Sequence, residues 1–330
     1  MIPLTKKTRR NIFITLMVVF VLAAPVILAK SLGYKIEQLD DIFTLVKTGG
    51  IYLHSDITNA QIYLDDKYVE KNGLLLRNTL IQSLKPEKTY HVVVKKEGMN
   101  SWEKTLMVYP SVVSEARVLM LPVEVKTTAV YPFLDKDGIG TTTPQTFVST
   151  QNGIPTNLEY LELQKLFIEA TSTPIAVTKP SKKISSATTT STTTKTIPDY
   201  FIKLGIADPD SLKNLIVSGD QVSWLSNDNV AVNWVSDNNI QPYYYCLDLT
   251  NCRTLINVDL EKPVISFDFL QGRDDALIVL HDNGLYAVEI DDRSERNIQP
   301  IYLGKDLKFE INSRDQIVVL DSEIFYKIEL

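Results

Sequence analysis

The sequence predicts a mainly β protein that follows one N-terminal transmembrane helix. Three observations lead to this fold class. An uncharged stretch runs from Ile12 to Ala29, short β-branched segments separated by turn residues follow it, and similar segments recur near the C-terminus. With 44% hydrophobic residues and a formal net charge of −6, the chain can bury apolar cores. This charge argues against a nucleic-acid partner, which requires clustered Lys and Arg.

The stretch from Ile12 to Ala29 is long enough to cross a hydrocarbon core of about 30 Å. Four basic residues precede it: Lys6, Lys7, Arg9 and Arg10. The positive-inside rule therefore predicts a cytoplasmic N-terminus and an extracytoplasmic body. A cleaved signal peptide and a buried soluble helix are the alternatives. Because Ile27 does not suit a cleavage site after Ala29, we expect an uncleaved anchor in the cell membrane that contacts lipid.

Composition and turn signals divide the chain into seven segments. They are a cytoplasmic tail (1–11), the anchor (12–29), a juxtamembrane segment (30–47), a β-sandwich (48–122), a connecting segment with a helix (123–170), a Ser/Thr-rich linker (171–198) and a second β domain (199–330). Residues Ile36 to Lys47 are expected to form a short helix. In the linker, 15 of 28 residues are Ser or Thr, a composition typical of a flexible segment or long loop.

The connecting segment carries a helix start signal. Thr156 and Glu159 have the spacing of a capping box, and the pattern predicts a helix to about Ala170. Its core face is expected to hold Leu158, Leu161 and Phe167.

Five strands are predicted between residues 48 and 122: Ile51–His54, Ala60–Leu64, Tyr90–Val94, Lys104–Val108 and Ala116–Leu121. The motif Thr48–Ser55, the following Ala60–Asp66, the Leu84-Lys85-Pro86 unit, Gly98 and Trp102 together resemble a PEGA domain. Ile57-Thr58-Asn59-Ala60 stands where that family has Pro-Glu-Gly-Ala. The resemblance implies a small β-sandwich of a bacterial or archaeal surface protein, without catalytic residues.

A repeat of about 40–47 residues follows the linker. Its central strands begin at Asp228, Asp275 and Asp315, and each is flanked by other strands. The preceding strands are Gln221–Leu225, Val264–Leu270 and Asp306–Ile311, and the following ones are Tyr243–Leu247, Gly284–Ile290 and Glu323–Glu329. This pattern resembles the blades of extracytoplasmic WD40-like or TolB-like β-propellers.

The repeat accounts for only about three blades, fewer than a closed ring requires. Three repeats would leave edge strands with unpaired N–H and C=O groups. Closure could come from the 123–170 segment or from a second copy of the protein; the alternative is an open stack whose last strand is shielded by its charges.

Chemical motifs are sparse. His54, His91 and His281 are far apart in the sequence, so no metal site and no cofactor are predicted. Asp135-Lys136-Asp137-Gly138 is interpreted as a turn rather than a calcium loop. The acid pairs Asp274-Asp275 and Asp291-Asp292 are expected to cap backbone amides at turns, so no catalytic residues are predicted.

The C-terminal β domain contains both cysteines and most candidate binding residues. Cys246 and Cys252 flank a turn and are expected to form a disulfide in an oxidising compartment. Four aromatic residues could form a ligand platform, with core packing as the alternative: Trp224, Trp234, Tyr243 and Tyr245.

Three functions are consistent with this sequence. The expected one is a non-catalytic, membrane-anchored scaffold or binding protein of the cell envelope, with other envelope proteins or cell-wall glycan as partners. The alternatives are a carbohydrate- or peptidoglycan-binding surface protein and a glycan-acting enzyme on an incomplete propeller.

Overall fold

A computed structural model describes residues 6–31, 33–39, 42–73, 77–131, 147–151, 154–172 and 212–330. The Asp135–Gly138 turn and nearly all of the Ser/Thr-rich linker lie outside these ranges. The chain divides into two compact units. The N-terminal unit comprises Met1–Val94 and Glu103–Val118, and the C-terminal unit comprises Lys95–Trp102 and Leu119–Leu330.

The first element is an apolar α-helix, α1 (Lys6–Ser31). Its 26 residues span about 39 Å at the usual rise, and none of them is buried. The helix is long and apolar enough to cross a membrane, with a mean hydropathy of 2.9. It extends beyond the predicted span and includes the basic residues at its N-terminal end.

A β-hairpin follows α1, so the prediction of a short helix between Ile36 and Lys47 is wrong. Strands β1 (Tyr34–Leu39) and β2 (Ile42–Lys47) pair in antiparallel register, with Ile36 opposite Leu45. The second strand includes Thr44 and Val46, whose β-branched side chains favour extended backbone. Antiparallel pairing of two strands, rather than a helix, therefore describes this segment.

The remainder of the N-terminal unit is built on two sheets. Their strands are β3 (Gly49–His54), β4 (Gln61–Leu64), β5 (Lys67–Lys71), β6 (Thr79–Leu84), β7 (Lys88–Lys95), β8 (Trp102–Val108) and β9 (Val113–Arg117). One sheet contains three strands in the order β6-β3-β9, and the other contains four in the order β5-β4-β7-β8. Each of the five predicted strands overlaps one of these, whereas β5 and β6 were not predicted. Alternate residues of β8 are buried, as in a strand with one face on a core.

Two glycines allow the backbone to pack closely at the start of β3. A Cβ atom on Gly49 would overlap the carbonyl oxygen of Tyr109 and lie 2.5 Å from Val108 Cγ1. A Cβ on Gly50 would lie 2.9 Å from the carbonyl oxygen of Ile81. Glycine is therefore required for β3 to approach its neighbours.

The C-terminal unit contains three four-stranded antiparallel sheets. Sheet A consists of β13 (Lys213–Ser218), β14 (Gln221–Ser226), β15 (Asn229–Trp234) and β16 (Leu255–Val258). Sheet B consists of β17 (Ser266–Phe269), β18 (Ala276–His281), β19 (Gly284–Glu289) and β20 (Ile298–Leu303). Sheet C joins β21 (Lys308–Ile311), β22 (Ile317–Asp321) and β23 (Ile324–Glu329) to an earlier strand, β10 (Lys126–Val130).

Strand β10 pairs antiparallel with β23, placing Lys126 opposite Glu329 and Val130 opposite Phe325. The strand Ile324–Glu329 is therefore an inner strand of sheet C. Of the alternatives that the sequence left open, the one observed is a partner strand from the 123–170 segment of the same chain.

Sheet C is covered on one face by the helix α2 (Leu158–Ser172), which follows a hairpin of β11 (Phe147–Gln151) and β12 (Ile154–Asn157). Leu163 and Phe167 pack with Val130, Val318 and Phe325 in one apolar cluster. The helix begins where the capping box predicts. Its buried stripe includes Leu163 and Phe167, whereas Leu161, expected on this face, is only partly buried. The side chain of Leu158 lies outside the described residues.

Candidate binding surface

The most distinctive local structure of the C-terminal unit is the long connection between β15 and β16. It contains a short 3-10 helix, Tyr243–Tyr245, where the sequence predicted the strand Tyr243–Leu247. Pro242 precedes this turn in an extended conformation. Tyr244 and Tyr245 point into the core and are almost fully buried, so they fix the base of the connection.

Gln221 of β14 joins the two buried tyrosines. Its Nε2 donates to Tyr244 Oη at 3.0 Å, and its Oε1 accepts from Tyr245 Oη at 3.0 Å. Tyr244 in turn donates to the carbonyl oxygen of Asp274 at 2.9 Å. Burial raises the pKa of both phenols, so they remain neutral donors in this network. The base of the connection is thus held by packing and by hydrogen bonds whose donors and acceptors are matched.

Cys246 and Cys252 are joined by a disulfide at the outer end of the connection, with their Cα atoms 3.9 Å apart. Between them, the N–H of Leu247 donates to the carbonyl oxygen of Asn251 at 3.0 Å. Asp248 Oδ1 accepts from the backbone N–H groups of Thr250 and Asn251, both at 2.8 Å. We call residues 246–252 the disulfide tip.

The disulfide tip exposes apolar side chains. Leu247 and Leu249 are 45% and 54% exposed, and Ile240, in the same connection, is 96% exposed. Sequence reasoning concentrated on the cysteines and aromatics and missed these residues. The signal that could have found them was a pair of leucines inside a turn that two cysteines close, a position where polar residues are the rule.

The four predicted aromatic residues do not form one platform. In the pairing of β14 with β15, Trp224 lies opposite Ala231 and Trp234 lies opposite Gln221. Because side chains alternate along a strand, the two tryptophans project from opposite faces of sheet A. Trp234, Tyr243 and Tyr245 pack against the core shared with sheet B, whereas Trp224 packs with Leu215 and Val222. Core packing, the alternative interpretation, describes their environment.

Arginine–carboxylate pairs surround the base of the connection. Arg293 lies over the Tyr243 ring at 4.8 Å and donates to Asp291, with Nη2 to Oδ2 at 2.8 Å. Arg273 donates to both oxygens of Asp275 at 2.9 and 2.6 Å. Two further arginines pair with Asp292 in the same region: Arg253 and Arg296. Asp291 also caps a backbone amide, that of Arg293, at 3.1 Å.

The buried carboxylates are therefore held by guanidinium groups and support the structure around Tyr243. Bidentate pairs of this kind fix side-chain orientation and keep the carboxylate oxygens occupied. Asp274, by contrast, contributes its backbone carbonyl oxygen, which accepts from Gln221 Nε2 at 2.8 Å.

The three histidines are dispersed. His54 Nε2 lies 4.0 Å from Glu115 Oε2, His91 Nε2 lies 3.6 Å from Glu103 Oε2, and His281 Nδ1 lies 2.9 Å from the carbonyl oxygen of Pro263. Among the residues that the structure describes, no group of three or more His, Cys, Asp or Glu side chains is placed to hold a metal ion.

Comparison with known proteins does not assign the chain to a family. No family model matches it, and no curated protein matches it. Among solved structures, it is similar to one titled "AfRom2 CNH domain", at 10% sequence identity and a TM-score of 0.24. The alignment covers 90% of this chain and 81% of that chain. At this TM-score the likeness carries no argument about fold or function.

Proposed function

We propose that this protein is a membrane-anchored binding or scaffold protein of the cell envelope, with its β-rich units outside the cytoplasm and no catalytic activity. The observation that carries the proposal is α1, an exposed apolar helix of 26 residues with basic residues at its N-terminal end. A single span with this charge distribution is oriented with its N-terminus in the cytoplasm.

In this proposal, strands β3 to β9 are a PEGA-like β-sandwich and sheets A to C are propeller-like blades. Support comes from the two sheets of the N-terminal unit and from the four antiparallel strands in each of sheets A to C. Because α2 covers a face of sheet C, the face on which another blade would pack, we propose a capped stack rather than a closed ring.

A binding role is favoured over the two alternatives by the surroundings of specific side chains. A glycan-acting enzyme requires two carboxylates about 5–10 Å apart that are available to the substrate. Asp275 and Asp291, the buried candidates, each accept hydrogen bonds from an arginine. A glycan-binding platform requires aromatic faces exposed on one surface, whereas Trp224 and Trp234 project from opposite faces of sheet A and Tyr245 is fully buried. Envelope proteins are therefore the proposed partners.

The orientation can be tested by cysteine labelling of the full chain in intact cells. Lys67 is an exposed residue of β5, and both native cysteines are in a disulfide, so Lys67→Cys introduces a single reactive thiol. We expect it to react with a membrane-impermeant reagent. The matched control, Thr8→Cys, should react only after permeabilisation. Protection of Cys at position 67, or a mature N-terminus at Lys30, would show that the anchored, extracytoplasmic proposal is wrong.

A further inference from the structure

We propose that the disulfide tip is the docking surface for a protein partner that offers an apolar cleft with a basic side chain beside it. This inference rests on the proposed function, since it requires a binding protein in an oxidising compartment. It assigns the interaction to Leu247, Asp248 and Leu249.

The first argument is that two leucine side chains are exposed on the disulfide tip. Leu247 and Leu249 flank Asp248 at the end of the connection, and both are about half exposed. Burial of apolar surface favours association in proportion to the area removed from water, so covering two half-exposed leucines favours binding. The apolar groups fit a cleft on the partner.

The second argument is that a disulfide and several hydrogen bonds restrict the conformation of the tip. The disulfide, the Leu247–Asn251 backbone bond and the Asp248 turn restrict its outer end. At its inner end, the N–H of Arg253 donates to the carbonyl oxygen of Tyr245 at 3.0 Å, and Gln241 Nε2 donates to the carbonyl oxygen of Arg253 at 2.6 Å. A surface that is already ordered loses little conformational entropy on binding. The rigid tip is therefore preorganised for a partner.

The third argument is the charge of Asp248. The backbone N–H groups of Thr250 and Asn251 lower the pKa of this carboxyl group, so it remains ionised. The three hydrogen bonds that it accepts from the described part of the chain all end on Oδ1, including one from Thr250 Oγ1 at 3.1 Å. Oδ2 is therefore available to accept a hydrogen bond from a partner's Lys or Arg.

The same charge distinguishes a protein partner from a lipid bilayer. Insertion of the two leucines into hydrocarbon would carry an ionised Asp248 with them, and a charged side chain in hydrocarbon is unfavourable. A protein cleft can instead provide apolar walls and a compensating cation. The chemistry of the tip therefore favours a protein partner with positive charge at the rim of its cleft.

The test uses a photo-crosslinking amino acid placed at position 249 of the full chain in intact cells, with the same amino acid at exposed Asn238 as the positional control. We expect a discrete adduct with a different protein from position 249. In a second set, the crosslinker is kept at 249 and Leu247→Ser is added, which we expect to reduce the adduct about threefold or more. Leu303→Ser is the control, because it removes an exposed leucine outside the tip. Leu303 lies in β20 and is 63% exposed, and its replacement should leave the adduct unchanged.

Asp248→Asn distinguishes the effect of the negative charge on binding from the effect of the conformation of the turn. The amide oxygen can still accept the hydrogen bonds of Thr250 and Asn251, but the negative charge is removed. We expect a severalfold weaker adduct, and for the purified partner a weaker affinity whose dependence on salt is reduced. An Asp248→Asn variant with unchanged binding would contradict the charged interaction.

Three other outcomes would overturn the docking proposal. They are an adduct of twice the mass of this protein, an adduct with lipid, and no adduct from position 249 when Cys at position 67 is labelled from outside. In the last case the proposed envelope location stands and only the tip assignment fails. If Cys at position 67 is protected, the proposed function itself fails, so the two failures are distinguishable.

Discussion

Trp102 donates its indole N–H to the carboxylate of Glu289, although 187 positions separate the two residues in the sequence. Trp102 is fully buried and Glu289 is almost so. The hydrogen bond fastens the Lys95–Trp102 segment to strand β19 within the C-terminal unit. Nearby, Gln299 Oε1 accepts from the N–H of Leu121, and Gln299 Nε2 donates to the carbonyl oxygen of Leu119. Within the C-terminal unit, the Lys95–Trp102 segment and the segment that begins at Leu119 are thus attached to sheet B.

The first prediction concerns this buried bond. Trp102→Phe keeps most of the apolar volume but removes a donor from Glu289, a carboxylate that also accepts from Asn297. We expect a loss of about 2–3 kcal/mol in the free energy of unfolding, because a buried carboxylate loses a hydrogen bond. Denaturant unfolding of the full chain in detergent measures it. Trp224→Phe is the matched control, and an equal loss at both positions would contradict the prediction.

The second prediction concerns the helix that covers sheet C. Phe167 packs against Phe325 with ring centroids 5.2 Å apart. Phe167→Ala should cost about 3–4 kcal/mol and expose α2 to limited proteolysis. Its neighbour Ile168 is 58% exposed, so Ile168→Ala should change stability by less than about 1 kcal/mol. Equal protease sensitivity of the two variants would mean that α2 does not depend on this face.

The third prediction is a pH dependence at Glu310 of β21. Burial raises the pKa of this carboxyl group to about 7, and the charge of Asp268 adds to the increase. The folded protein therefore binds a proton that the unfolded chain releases near pH 4.5, and the free energy of unfolding falls as the pH rises from about 4.5 to 7.

A neutral side chain should remove this dependence. Because Glu310 is only partly buried, solvent screening reduces the effect, and we expect Glu310→Gln to stabilise by about 1–2 kcal/mol at pH 8 and little at pH 4.5. Urea unfolding at both pH values measures the difference, and Glu261→Gln, at an exposed site, is the control. A pH-independent effect of Glu310→Gln would contradict the assignment.

The fourth prediction tests the close approach at β3. Gly49→Ala places a methyl group against Tyr109 O and Val108, two groups of the packed backbone and core, and should cost about 3 kcal/mol or prevent the N-terminal unit from folding. A methyl group on Gly98 would have no atom within 4 Å, but this residue has a φ of +75°, so Gly98→Ala should cost only about 1 kcal/mol. Thermal unfolding compares the two variants, and similar losses would contradict the steric explanation.

Local sequence patterns predicted the β-rich character and most strands of the C-terminal unit. The segment Gln221–Leu225 became β14, and the apolar run from Asp275 became β18, whose six residues are all buried, as expected of a continuous apolar run that is covered on both faces. The same patterns misplaced Tyr243–Leu247, where Pro242 and the disulfide impose a turn on residues with high strand propensity. At this position the covalent and backbone constraints outweigh the strand propensity of the tyrosines.

Long-range relationships were not accessible to the same reasoning. Nothing in Lys126–Val130 identifies the strand with which it pairs, and the bond between Trp102 and Glu289 depends on tertiary structure alone. The candidate surface was missed for a related reason. Whether Leu247 is a core residue or an exposed one depends on how the turn between the cysteines projects, which local hydrophobicity does not specify.

The pairing of β10 with β23 also constrains how the protein is made. Lys126 and its salt-bridge partner Glu329 are 203 positions apart, so at about 5–20 residues per second the ribosome needs roughly 10–40 s to synthesise the chain between them. During that interval β10 has no partner strand, and sheet C cannot be completed until β23 has emerged from the ribosome. A chain that ends prematurely by even one strand leaves β10 as an unpaired edge, available to proteases or to aggregation. Sheet C is therefore complete only in chains whose synthesis has passed β23.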